Sequence, residues 1–155
     1  MKKTDRISDF VKELAPSDGS EDSLFDARYL GYFVCFNRGE YYEAHDVLED
    51  LWLKTTGPDY GFYKGLIQIA GAFVHLRKQF ERPQHHKDGK RMRPATRLFD
   101  LGMKNIAPFS PIRYRLNVEE LIRFCAKNRD AICESDFQSN PWNPAFLPQL
   151  HLEQP

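Results

Sequence analysis

Between Asn37 and Leu76 two helical periodicities meet at one break, Gly57-Pro58-Asp59, and this stretch most narrows what the chain can become. On the first run His45, Glu49 and Trp52 recur at i, i+4 and i+7, and on the second Gln68, Ala72 and His75 do the same. Both faces are otherwise apolar. A break of this length joins antiparallel neighbours, which sets Glu49 opposite Gln68 and His45 opposite Ala72, with His75 about one turn further, near Tyr41 and Tyr42. The small Ala72 leaves room for a histidine ring to enter from the other helix. Polar groups where core side chains belong need partners or a task.

The remaining segments also read as helices. Ile7, Phe10, Val11 and Leu14 carry the stripe of a short N-terminal helix. Ser23 and Asp26 form a capping box for a helix from about Leu24 to Asn37, which ends on Gly39 in the left-handed position that glycine favours. The second helix begins at Glu40 and stops near Thr56. Asp59 is placed to cap the third, from Tyr60 to Phe80, where Gly65, Ala70, Gly71 and Ala72 permit a close crossing. A fourth helix starts around Pro94 and runs to Ile106, and Asn117 with Glu120 caps a fifth, whose buried stripe is Val118, Leu121, Ile122, Cys125, Ile132 and Cys133. No stretch sustains a period-2 pattern, so no strand is expected.

The expected architecture is one all-α domain over 1–155, a bundle of five or six helices in antiparallel hairpins. Residues 1–22 would be a short helix and linker, 23–136 the helical core, and 137–155 an extended Pro-rich tail. Trp142, Phe146, Leu147 and Leu150 are too apolar for a free tail and predict that it lies across a groove of the bundle. Gly39-Glu40-Tyr41-Tyr42-Glu43-Ala44 weakly resembles a tetratricopeptide helix-turn-helix unit, with Arg93-Pro94-Ala95 as a degenerate second copy. Two units fall short of an array.

Charge excludes some partners. Lys and Arg total 22 and Asp and Glu total 22, so no global field draws nucleic acid or an anionic membrane. Locally, Glu40, Glu43, Asp46, Glu49 and Asp50 make the second helix acidic. Arg82, Lys87, Lys90, Arg91, Arg93 and Arg97 oppose only Glu81 and Asp88 further on. Both runs read as solvated surface. Cys35, Cys125 and Cys133 form no CxxC pair and read as reduced thiols, and Met1 to Leu14 lacks the apolar core of a secretory signal, so a cytoplasmic chain is expected.

Three readings of the polar cluster stay open. His45, Glu49, Gln68, Trp52 and His75 can satisfy one another, with His75 on a tyrosine hydroxyl, as a structural network that fixes helix register in an interaction module. His45, Glu49 and His75 are also a workable ligand set for a divalent metal such as zinc. Alternatively, His45 and Glu49 act as acid and base in a metal-free site, with Gln68, Trp52 and Tyr41 holding a small ligand. The partner under these readings is an unidentified small ligand or a protein.

Phe36 to Trp52, followed by Phe62 to His75, resembles the paired signature of the small helical proteins grouped as domain of unknown function 309. That resemblance implies an all-helical fold and maps the family's signature onto Asn37, Gly39, Glu43, His45, Glu49, Trp52, Gln68 and His75. Members have been labelled predicted metal-dependent hydrolases, a label that rests on the same His and Glu pattern. The connection from Glu81 to Arg93 is longer and more basic than the family's short turn, which would make it a lid or anion-binding element if it lies beside the pocket. The Pro-rich C-terminus resembles an extension found in part of the family.

Overall fold

The computed structural model describes residues 25–154. The expected N-terminal helix and Ser23 lie outside the described residues. Five helices follow in order: α1 (Ala27–Asn37), α2 (Tyr41–Leu53), α3 (Tyr60–Glu81), α4 (Met92–Ile106) and α5 (Val118–Glu134). Each packs on the next or across it, and the all-α bundle is the fold.

Local chemistry explains the helix ends. Asp26 caps α1 by accepting from the Arg28 amide at 2.8 Å. At the other end Gly39 has φ +77, and the Gly39 and Glu40 amides return to the Phe36 and Cys35 carbonyls at 2.9 Å, the paired bonds of a Schellman stop. Asn117 caps α5 as its spacing predicts, accepting from the Glu120 amide at 2.9 Å. Asp59 differs: it occupies the N-cap position of α3 but gives its side chain no capping bond. Its carboxylate instead takes Arg113 and the Tyr114 hydroxyl. A charged, remote partner outcompetes a local amide here.

The helices cross antiparallel. Trp52 meets the Tyr60 ring at 5.1 Å at the hinge of the α2–α3 hairpin, and Lys78 lies 5.2 Å from the Tyr42 ring at its open end. Helix α4 comes closest to α3 at Gly65 and Gly102. A Cβ on Gly65 would stand 2.5 Å from Ile106 Cγ2 and 2.9 Å from the Gly102 carbonyl, so two bare backbones form this crossing. The core between the layers is aromatic, with Tyr29, Tyr32, Phe36, Tyr41, Phe62, Phe73 and Phe99 all fully buried.

Two features depart from the sequence reading. A two-stranded hairpin, β1 (Ile112–Arg113) and β2 (Leu116–Asn117), joins α4 to α5 through Tyr114 and Arg115, both at positive φ. Strands of two residues carry no period to read. The segment between α3 and α4 is mostly exposed, as its charge predicts, but it has a buried anchor that the sequence reading did not foresee. Asp88, only 7% exposed, takes Arg82 at 3.0 Å and is gripped by Arg91 through both Nε and Nη2, while the His85 ring accepts from the Lys87 and Asp88 amides. One buried carboxylate organises the basic loop.

The tail runs back along the bundle. Trp142, buried to 5% exposure, donates its indole N–H to the Tyr41 hydroxyl at 2.7 Å. Asn140 donates to the Leu76 carbonyl, and Asn37 both donates to and accepts from the Leu150 backbone. These bonds hold extended chain without helix or sheet.

Candidate functional site

The contacts at both ends of the α2–α3 hairpin leave His45, Glu49 and Trp52 along one helix and Gln68, Ala72 and His75 along the other. Ala72 is fully buried, whereas His45, Glu49, Trp52, Gln68 and His75 are half-buried. The phase of α3 explains this. A stripe through Gln68, Gly71 and His75 turns toward α4, where Gly71 approaches Leu98.

His45 keeps its expected neighbour Glu49 and gains Asp46, whereas Gln68 and His75 have partners that the sequence did not announce, and one residue is an exception. His45 Nδ1 lies 3.1 Å from Asp46 Oδ1 and 3.8 Å from Glu49 Oε2, so its ring sits between two carboxylates of its own helix. Gln68 Oε1 accepts from Asn105 of α4 at 2.7 Å. His75 bonds no tyrosine; its Nδ1 is 3.1 Å from Arg91 Nη1. A guanidinium can only donate, so Nδ1 accepts and the ring proton of the neutral imidazole sits on Nε2. The exception is Trp52, whose buried indole N–H has no acceptor among the described residues.

Electrostatics divides the strip. Burial, reinforced by Arg91, Lys78 and Arg97, lowers the pKa of His75 to about 4 and keeps it neutral. The α2 end is acidic, carrying Asp46 and Glu49 beside His45. Tyr41, expected to touch a ligand, is 1% exposed with its hydroxyl under Trp142, and burial raises its pKa to about 12.

Among the described residues, no group of three or more His, Cys, Asp or Glu side chains gathers closely enough to hold a metal ion, so His45, Glu49 and His75 do not form such a group. The donor chemistry gives the reason at His75. Its Nδ1 lone pair is already taken by a cation, and two further cations bear on the ring. A divalent ion does not fit there.

Sequence reasoning missed Asp46, Asn105, Asp88 and Arg91. Asp88 left one signal, as an acid amid bases between a proline and a glycine. Arg91 follows from it, because Asp88 orients the guanidinium that reaches His75. Through the Arg91–His75 bond the basic loop touches the α3 side of the strip. Among the described residues, no helix is long and apolar enough to cross a membrane.

No curated protein and no solved structure matches the chain. A family model matches residues 29–84, which span α1 from Tyr29, all of α2 and α3, and the first residues of the basic loop. The hairpin with its polar strip is thus the matched unit, and over these residues the chain is similar to the family described as Domain of unknown function (DUF309).

Proposed function

We propose that the α2–α3 strip is a metal-free binding site for a small acceptor-rich ligand, a carboxylate or phosphate compound, in a cytoplasmic protein. The observation that carries this reading is the buried Trp52 indole N–H, which has no acceptor among the described residues. Leaving such a donor unpaired costs about 1–3 kcal/mol, which a bound acceptor would recover. His75 does not share that ligand: Trp52 packs on the Tyr60 ring, and His75 lies fifteen residues further along α3, about 22 Å at helical rise, beside Arg91. His45 and Glu49 then provide the acid and base for a hydrolytic step, while Gln68 and Trp52 orient the ligand.

The second reading, a helical protein-interaction module, is favoured by a different observation. His45 with Asp46, Gln68 with Asn105, and His75 with Arg91 are each already paired. There the strip serves register alone.

Thermal stabilisation by a panel of small carboxylates and phosphate esters separates the two, measured on the wild type, Trp52→Phe and His45→Ala. The site reading expects at least one compound to raise the wild-type melting temperature and to lose most of that effect in Trp52→Phe. A panel that stabilises none of the three proteins sinks it. Metal content of untagged protein is the companion measurement. Near-stoichiometric metal, lost in a His45→Ala, His75→Ala double variant, would overturn the metal-free form.

A further inference from the structure

A cavity of about 440 Å³, lined by no residue of the strip, opens where three distant segments meet. Gln79 comes from the end of α3, Lys90, Met92 and Arg93 from the start of α4, and Asp136, Phe137 and Gln138 from the elbow after α5. Its volume lies within the roughly 300–1,000 Å³ of small-molecule pockets.

The elbow is unusual in its backbone. Asp136 and Phe137 have φ 54 and 62, consecutive left-handed residues without a glycine. Asp tolerates that region, but a bulky aromatic there is an outlier. Phe137 is held by its amide, which reaches the Ile132 carbonyl at 2.9 Å, and by the Arg93 guanidinium 4.0 Å from its ring centroid. The conformation places Asp136 and Phe137 in one lining with Lys90 and Arg93.

Those charges do not neutralise one another. Lys90, Arg93 and Asp136 all line the cavity, yet none enters an ion pair among the described residues. Both signs of charge thus share one lining without pairing, together with Met92, Phe137, Gln79 and Gln138. A purely anionic ligand would leave Asp136 opposed to it. A ligand bearing both signs is complementary to the whole lining.

We infer that this cavity binds a small zwitterion of the α-amino-acid type. Lys90 and Arg93 take its carboxylate, Asp136 its ammonium group, and Met92 and Phe137 an apolar side chain. Nothing in this assignment depends on the α2–α3 strip.

Isothermal titration of the full chain tests it with five probes: L-phenylalanine, L-methionine, N-acetyl-L-phenylalanine, L-phenylalaninamide and inorganic phosphate. The expected result is saturable one-to-one binding of at least one free amino acid. Each blocked derivative, having lost one charge, should bind about tenfold or more weakly. Asp136→Asn, which suits a left-handed position, and Lys90→Gln should each weaken the free amino acid by a similar factor, with circular dichroism unchanged. Absence of saturation with both amino acids overturns the inference. So does equal binding of the blocked derivatives, tighter binding of phosphate, or affinity unaltered in both variants.

Discussion

His75 Nδ1 accepts a hydrogen bond from the Arg91 guanidinium at 3.1 Å, and this contact ties the α2–α3 hairpin to the basic loop beyond it. Burial first, and then the charge of Arg91, keeps the ring unprotonated. A histidine whose Nδ1 faces an arginine cannot take a proton without losing that bond and adding charge beside Arg91, Lys78 and Arg97.

His75 should therefore titrate near pH 4, and Arg91→Ala should move it back toward 6.5, as read by histidine ring chemical shifts. The sign for stability follows from linkage. As pH falls through about 6.5 the unfolded chain takes the proton and the folded chain resists it until about 4. His75 thus contributes full stability above about 6.5 and loses it across the window down to about 4. For a half-exposed ring, solvent screening limits this to about 1–2 kcal/mol. Denaturant melts at pH 7.5 and 4.5 should show a smaller difference in His75→Gln than in the wild type.

Asp88 should prove to be what keeps Arg91 in position. Its carboxyl is held below the usual range mainly by the hydrogen bond from Arg91, and it also takes Arg82. Asp88→Asn removes the charge that both guanidinium groups share. The expected outcomes are faster hydrogen exchange at the Lys87 to Arg91 amides and a His75 pKa that moves off about 4. Unchanged exchange would mean that the loop holds its shape through Gly89 packing alone.

The α3–α4 crossing allows a paired test of close packing. Gly65→Ala drives a methyl toward the Gly102 carbonyl, a backbone atom that cannot rotate away, and should destabilise by about 1–3 kcal/mol. Gly71→Ala meets only Leu98 Cδ1 at 3.1 Å, the mobile end of a side chain. There the better helix propensity of alanine, worth up to about 1 kcal/mol, offsets the contact. Chemical denaturation should find the first variant clearly weakened and the second near neutral.

How far the residues foretell this arrangement depends on the range of each interaction. The Asn117 cap and the Gly39 stop are settled within four residues, and their spacing alone predicts them. The hairpin register follows from helical rise and one turn. Asp59 breaks the pattern because Arg113 and Tyr114, far along the chain, outbid its local amide. Gln68 and His75 share one face of their helix as their spacing predicts, but that face meets Asn105 and Arg91 rather than the second helix, because the approach of α4 at Gly65 and Gly102 is not written in the period. Periodicity gives phase; packing partners come from three-dimensional fit.

The tail supplies the last test. Its one deeply buried side chain, Trp142, sits edge-on to Phe80 at 5.4 Å and to Tyr41 at 6.1 Å, with its N–H on the Tyr41 hydroxyl. Tyr41→Phe leaves that indole donor buried without an acceptor, so it should cost about 1–3 kcal/mol. Trp142→Phe removes the donor instead and leaves a hydroxyl that water can reach once the smaller ring is in place, so it should cost less than Trp142→Ala, at about 3–5 kcal/mol. A Trp52→Phe background makes Trp142 the only fluorophore of its kind, and its emission should shift to the red when the tail is released. If Trp142→Ala melts at the same denaturant concentration as the parent, the tail is not part of the cooperative fold and Tyr41 is closed by other means.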